Sequence, residues 1–298
     1  IKEAVQYCTP FLKAMDGEMI HICYCCNDRY FPQVLLSVLS LVKHTEEPVA
    51  VHIATMTLTE KDPRWTAFTE EQRVIIENVL KEKNPESRAE VLDVTEEYNR
   101  RLRGGVNEST SFSPYSMIRL LLDLYDISDK LIYVDTDTMF CGSANELWKQ
   151  DIEGHEVGAV YEVWYKMLRP FYFWKQFYCN SGVLLLNLKM IRETGLFERL
   201  RDRIRTKKMN FPDQTAIAFL CKTKKELPRR FNEQRRIRKN TVIKHFVGFF
   251  QWYGPVFVQR VVKPTEVERV HKLMKIHEFD DVYEKYNRLA EKYGFAAL

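Results

Sequence analysis

The sequence predicts an α/β fold, a mostly parallel sheet covered by helices, and three observations carry that reading. Short apolar segments at residues 19–26, 49–56 and 89–94 alternate with helical patterns at 34–44 and 69–84. Residues 131–135 (LIYVD) form an apolar strand that ends abruptly in acid. Gly17 is the only glycine before Gly104. The first hundred residues therefore cannot supply the Gly-rich phosphate loop of a kinase, P-loop NTPase, NAD-dependent enzyme or sugar nucleotidyltransferase.

In chain order, residues 1–18 read as a polar N-terminal appendage. Residues 19–26 (MIHICYCC) form the first strand, and 34–44 (VLLSVLSLVKH) have the period of a helix packed on a sheet. Residues 115–125 are expected to form another helix, closed by a turn at 126–130. Strands follow at 131–135, 157–163 and 181–188, a helix starts at Pro212, and 243–250 is strand-like. Beyond Pro264 the chain turns polar and helical. Tyr283, Tyr286, Leu289 and Tyr293 recur there at helical spacing, as in a helix packed on the body. The expected organisation is one α/β domain over 19–262 with a helical C-terminal segment over 263–298.

Composition narrows the class. The chain of 298 residues is 45% hydrophobic and 29% charged, which excludes a disordered chain. No apolar run approaches the ~20 residues of a membrane-spanning helix, and no basic-then-apolar leader opens the sequence, which begins with Ile. Seven cysteines, clustered at Cys23, Cys25 and Cys26, do not resemble a disulfide framework, so a reducing cytoplasm is the expected location. The net charge of +4 is too small to imply nucleic acid. Nine basic residues against two Glu over 222–239 read first as a solvated face, and second as a peripheral contact for anionic lipid or an anionic acceptor.

The chemistry begins at Tyr133-Val134-Asp135-Thr136-Asp137. Ligands of open α/β sheets bind beyond the carboxyl ends of strands. Two carboxylates one residue apart point the same way while the chain stays extended, and such a pair suits Mg²⁺ or Mn²⁺ carrying a diphosphate. A solvated turn is the competing reading. His245, in Lys244-His245-Phe246-Val247-Gly248, reads either as a core histidine or as a third ligand that shifts the preference towards Mn²⁺. Gly248 there permits close approach of backbone to an anion. Tyr178-Cys179-Asn180-Ser181-Gly182, directly before an apolar strand, is either a sheet-edge site or a turn. Pro212-Asp213-Gln214 also has the ordinary chemistry of a helix start.

It is the order of these features that is specific. Ser113-Pro114-Tyr115-Ser116-Met117-Ile118-Arg119-Leu120 precedes Asp129-Lys130-Leu131-Ile132-Tyr133-Val134-Asp135-Thr136-Asp137 and then Glu146-Leu147-Trp148. Next come Cys179-Asn180-Ser181-Gly182-Val183-Leu184-Leu185-Leu186-Asn187-Leu188, Asp213-Gln214, Leu227-Pro228, Phe231-Asn232 and His245-Phe246-Val247-Gly248. This series resembles the family 8 glycosyltransferases, retaining metal-dependent enzymes that include glycogenin and bacterial lipopolysaccharide galactosyl- and glucosyltransferases. The resemblance covers residues 19–252 and implies a GT-A fold with a mixed, mostly parallel sheet.

The resemblance also implies roles. Asp135, Asp137 and His245 would hold Mn²⁺, or Mg²⁺, against a UDP-hexose. Asn27 would read uracil in place of the family's acid, Tyr30 would stack on the base, and Cys25 and Thr136 would line the donor site. Arg119 would approach the diphosphate or donor sugar, with Glu162 and Asn180 near the sugar and Gly248 beside the phosphates. Gln214, oriented by Asp213, would face the reacting carbon. The family pattern runs His-x-x-Gly-x-x-Lys-Pro-Trp, and Gln251 stands where its diphosphate-gripping Lys would be. The implied activity is transfer of galactose or glucose to a saccharide, glycolipid or glycoprotein acceptor in cell-surface glycan assembly. Two alternatives are a member that cleaves donor without a specific acceptor and a degenerate UDP-sugar-binding protein, the latter motivated by Asn27 and Gln251. Intact Asp135, Asp137, His245 and Gln214 weigh against the last.

Overall fold

A computed structural model describes residues 19–108, 114–163, 177–253 and 256–298, without the side chains of 250–253 and 256–257. The N-terminal appendage expected over residues 1–18 lies outside the described residues. The main sheet has seven strands in the order β3-β2-β1-β4-β7-β6-β8. These are β1 (Ile20–Cys25), β2 (Val49–Thr55), β3 (Arg88–Asp93), β4 (Lys130–Val134), β6 (Val157–Tyr161), β7 (Cys179–Asn187) and β8 (Lys224–Glu226). β3, β2, β1 and β4 are parallel, β7 runs antiparallel to both β4 and β6, and β8 is parallel to β6.

The buried strands explain themselves. Every residue of β1 and β2 is buried, as expected of parallel strands covered on both faces. Alternate residues feed two separate cores. Ile20, Ile22 and Tyr24 face one side with α1 (Phe31–His44), α2 (Glu70–Lys83) and the C-terminal helix, whereas Cys23, Cys25, Leu131 and Tyr133 face the other. Helix α2 starts on a capping box in which Thr69 and Gln72 satisfy one another's backbone N–H groups. On the second face lie α3 (Thr95–Arg101), α5 (Leu188–Thr194), α6 (Leu196–Thr206) and α7 (Pro212–Leu220), while the short α4 (Asn145–Trp148) joins the first core through Leu147.

Two expectations are corrected. The helix expected over 115–125 is two 3-10 turns, Pro114–Ser116 and Ile118–Leu124. Ile118, Leu120, Leu121 and Leu122 are all buried, and so is Arg119 between them, so the segment carries no amphipathic 3.6-residue period. The strand expected over 243–250 divides. β9 (Ile243–His245) pairs with β5 (Thr138–Phe140), and β10 (Phe249–Tyr253) forms a hairpin with β11 (Val256–Arg260). The C-terminal segment is helical as expected but divided: a short helix, Val267–Arg269, runs into a π-helical turn, Val270–Met274, before α8 (Asp280–Tyr293). Tyr283, Tyr286 and Leu289 of α8 are buried against the first core, with Tyr293 partly so. Part of the basic run is occupied: Arg229 pairs with Glu233, Arg230 with Glu146, and the Lys224 ammonium donates to the Ala218 and Cys221 carbonyls.

Candidate active site

A cleft of about 1090 Å³ opens beyond the carboxyl ends of β1 and β4. The Asp135 N–H donates to the Gly182 carbonyl at 2.8 Å, extending the β4–β7 ladder by one residue. The chain then turns, with Thr138 N–H and Oγ1 both donating to the Asp135 carbonyl. Asp135 and Asp137 therefore converge through a turn, not through the extended alternation expected from the D-x-D spacing. The β5–β9 ladder sets His245 opposite Thr138, and Phe246 N–H donates to the Asp137 carbonyl. One ligand atom from each of Asp135, Asp137 and His245 lies within 4.8 Å of the others. His245 Nε2 stands 3.2 Å from Asp137 Oδ1 and 3.7 Å from Asp135 Oδ2.

The histidine's tautomer follows from a chain of bonds that starts at an unambiguous donor. Gly182 N–H donates to Asn180 Oδ1 at 3.0 Å, which directs Asn180 Nδ2 to Glu162 Oε2 at 2.7 Å. Asn232 Nδ2 donates to the same Asn180 oxygen at 2.8 Å, leaving Asn232 Oδ1 to accept from His245 Nδ1 at 3.1 Å. Nδ1 thereby keeps its proton, directed at Asn232, and Nε2 is the nitrogen that faces the two carboxylates and would present its lone pair to a bound ion. Two carboxylates and one imidazole form a donor set that fits Mn²⁺ or a similar divalent ion.

Charge around this set is closely matched. Burial opposes ionisation of Asp137, yet His245 and Lys263 more than offset it and hold the carboxyl well below its usual range. Lys263 Nζ lies 2.5 Å from Asp137 Oδ2, and although burial works against its charge, Asp137 raises its pKa. Arg119 is 3% exposed; its guanidinium donates to Asp135 Oδ1 at 3.0 Å and to the Ser181 carbonyl at 2.6 Å, and lies 3.3 Å from Asp213 Oδ2. Burial again opposes its charge, but Tyr133, Asp213 and Asp135 outweigh it and raise its pKa. Tyr133 lies under this guanidinium at 4.1 Å and donates its hydroxyl to Asp135 Oδ1. Behind His245, Lys244 is fully buried and donates to three backbone carbonyls; burial pulls its pKa down to about 8.

Pro212 opens α7 on the opposite wall and places Asp213 and Gln214 in its first turn. Ser181 joins them to the rest: its Oγ donates to Asp213 Oδ2 at 2.9 Å and its N–H to Gln214 Oε1 at 3.1 Å.

Of the residues singled out in the sequence, Cys25, Tyr30, Arg119, Asp135, Thr136, Asp137, Glu162, Asn180, Asp213, Gln214, His245 and Gly248 line this one cleft. The Cys25 thiol is pushed well above its usual pKa by burial. Thr136 donates to Gln33 Oε1 at 3.0 Å. Asn27 sits next door, in a cavity of about 300 Å³ that shares Tyr30 and Gln33 with the cleft. Its Oδ1 is buried and accepts no hydrogen bond from the described residues. The Gln251 side chain lies outside the description. Sequence reasoning gave no role to Gln33, Ser181, Gly182, Asn232 or Lys263, although Ser181, Gly182 and Asn232 fall inside the motifs it singled out. For Lys263 there was a signal, because Lys263-Pro264 matches the Lys-Pro sought at Gln251, displaced by the β10–β11 hairpin.

Comparison with known proteins agrees with this architecture. The model for "Glycosyl transferase family 8" matches residues 21–250. A putative glycosyltransferase of Haemophilus influenzae is 24% identical over 72% of this chain and 64% of its own length. Glucoside xylosyltransferase 2 of Mus musculus is 34% identical over 28% of this chain and 21% of its own. The chain thus matches less than two thirds of the length of either curated relative. The solved galactosyltransferase LgtC, in complex with donor and acceptor sugar analogues, superposes with a TM-score of 0.59 at 17% identity, over 90% of this chain and 96% of that one. That likeness establishes a GT-A type fold, and with a family model spanning most of its length, the chain belongs to glycosyltransferase family 8.

Proposed function

We propose that the protein is a retaining hexosyltransferase that moves galactose or glucose from a UDP-sugar to a saccharide, glycolipid or glycoprotein hydroxyl. One observation carries the reading: the Asp135–Asp137–His245 donor set and Gln214 face each other across a single cleft. Bound by those three side chains, Mn²⁺ supplies neutralisation of the charge that develops on the departing diphosphate.

The chain's own residues do the rest. Lys263 exchanges its bond to Asp137 for the diphosphate, providing the cation that Gln251 does not. The buried, unsatisfied Asn27 Oδ1 accepts from uracil N3–H, and Tyr30 covers the base. Glu162 and Asn180, locked to one another, address sugar hydroxyls. Arg119 holds Asp135 and Asp213 at a fixed separation and so couples the metal end of the cleft to the Gln214 end.

Gln214 is a poor nucleophile, which favours front-face displacement over a covalent enzyme intermediate. The sugar C1–O bond to UDP breaks, and a C1–O bond to the acceptor forms on the same face. The acceptor hydroxyl's proton passes to the departing UDP oxygen. Gln214 Oε1 stabilises the positive charge that builds on the sugar. Phe211 and Phe219, 48% and 42% exposed at the rim near Gln214, offer an apolar wall to the acceptor. Among the described residues no helix is long and apolar enough to cross a membrane.

The test is UDP release from a panel of UDP-sugars with Mn²⁺, Mg²⁺ or chelator. Metal-dependent release with one hexose preferred is expected. Metal-independent release would overturn the metal's part in the reaction, and no release from any UDP-sugar in the presence of candidate acceptors would overturn the proposal in favour of a degenerate sugar-nucleotide binder.

A further inference from the structure

Beyond Lys263 in the chain, the C-terminal segment assembles a second group of metal-ligating side chains. His271 lies in the turn Val270–Met274, and Asp280 is the first residue of α8. Between them Lys275 adopts a left-handed conformation (φ 57°), the one such non-glycine residue among those described, and folds the chain back so that His277 meets His271. The two imidazoles stack with centroids 4.4 Å apart. Asp280 divides its oxygens between them: Oδ1 is 2.7 Å from His271 Nε2 and Oδ2 is 3.3 Å from His277 Nδ1. One atom from each of the three residues lies within 4.8 Å of the others. All three side chains reach solvent, so an ion and its waters have access.

We propose that His271, His277 and Asp280 form a binding site for a transition-metal ion of the Zn²⁺, Co²⁺ or Ni²⁺ kind, separate from the cleft. Two imidazoles and one carboxylate select borderline ions over Mg²⁺ or Ca²⁺, which prefer all-oxygen sets. Three protein ligands and a water complete a four-coordinate shell. Each imidazole nitrogen that now faces the carboxylate exchanges a hydrogen bond for the metal, and binding releases any proton it holds there. The site would fasten the turns that follow Lys263 to the start of α8, whose Tyr283 and Tyr286 pack into the core. Bound there, the ion would tie down the segment that delivers Lys263 to the cleft.

The inference does not depend on the reading of the cleft, and its test removes the cleft's own metal affinity. The full chain carrying Asp137→Ala is titrated with Co²⁺, read by its visible d–d bands, and back-titrated with Zn²⁺. One saturable equivalent per chain is expected. Adding His277→Ala, whose side chain is 62% exposed and packs into no core, should weaken binding more than about tenfold, and His271→Ala should do the same. Absence of saturable binding below about 100 μM, a free energy near −5.5 kcal/mol, would overturn the proposal. So would affinity unchanged by either histidine substitution.

Discussion

Gly182→Ala offers a severe test of the site because the obstacle is geometric. A Cβ at Gly182 would stand 2.1 Å from His245 Cε1, 2.7 Å from His245 Nδ1 and 2.8 Å from Asp135 Oδ2. Ordinary contact begins near 3.4 Å, so the imidazole must retreat by roughly 1.3 Å even if Asp135 also gives way. His245 cannot do so and keep its bond to Asn232, and its Nε2 then leaves the carboxylates. Overpacking of this kind costs about 1–3 kcal/mol of stability. A displacement of about 1 Å at a reacting centre costs on the order of 100-fold in rate. The expected result is a folded protein whose melting temperature falls by a few degrees, whose Mn²⁺ affinity drops at least about tenfold, and whose metal-dependent UDP release falls about 100-fold. Calorimetric Mn²⁺ titration, UDP-release kinetics and a thermal melt read the three quantities. Wild-type metal affinity and turnover in the alanine variant would refute the account of how His245 and Asp135 are held.

Three further outcomes follow from the same geometry. Asn232→Ala removes the acceptor that holds the proton on His245 Nδ1 and should weaken Mn²⁺ binding about 10–100-fold, measurable by calorimetry. Lys263→Ala should raise the donor KM by about 10–100-fold, the worth of one or two charge-assisted bonds, with a smaller effect on kcat, and Lys263→Arg should restore part of it; an unchanged KM would remove Lys263 from the donor site. Glu156 is buried, and although desolvation opposes its charge, donors from Thr194, Thr223 and Cys221 lower its pKa. Its contribution is therefore fully present above the unfolded value near 4.3 and is lost as pH falls through the lower folded value. Glu156→Gln should cost about 1–3 kcal/mol in urea unfolding at pH 7, and the difference from wild type should shrink as the pH is taken below that of an ordinary glutamate.

Much of the site was legible because its residues fall at strand and helix ends, where sequence signals are strongest. Asp135 follows an apolar strand, Asn180 lies at the start of one, and Asp213 and Gln214 sit in a helix start marked by Pro212. What escaped was whatever depends on a partner distant in sequence. Asn232 acquires its role only because β9 carries His245 beside it. Gly182 matters only because two side chains crowd its missing Cβ. Lys263 was hidden by the β10–β11 hairpin, which displaces the Lys-Pro pair from its expected interval. The 3-10 path through Ile118–Leu124 was illegible for another reason: Ile118 to Leu122 are buried without a break, Arg119 included, and leave no one-sided periodicity to read. Arg119 was expected near donor phosphates, and its placement beneath Asp135 and Asp213 shows a buried cation bracing two carboxylates at once.

The measurement that bears most directly on the central claim is calorimetric binding of UDP with and without Mn²⁺, for wild type and Asp137→Ala. The account predicts that Mn²⁺ tightens UDP binding at least about tenfold in the wild type and that this linkage disappears in the variant. UDP affinity indifferent to Mn²⁺, or a linkage that survives loss of Asp137, would contradict it.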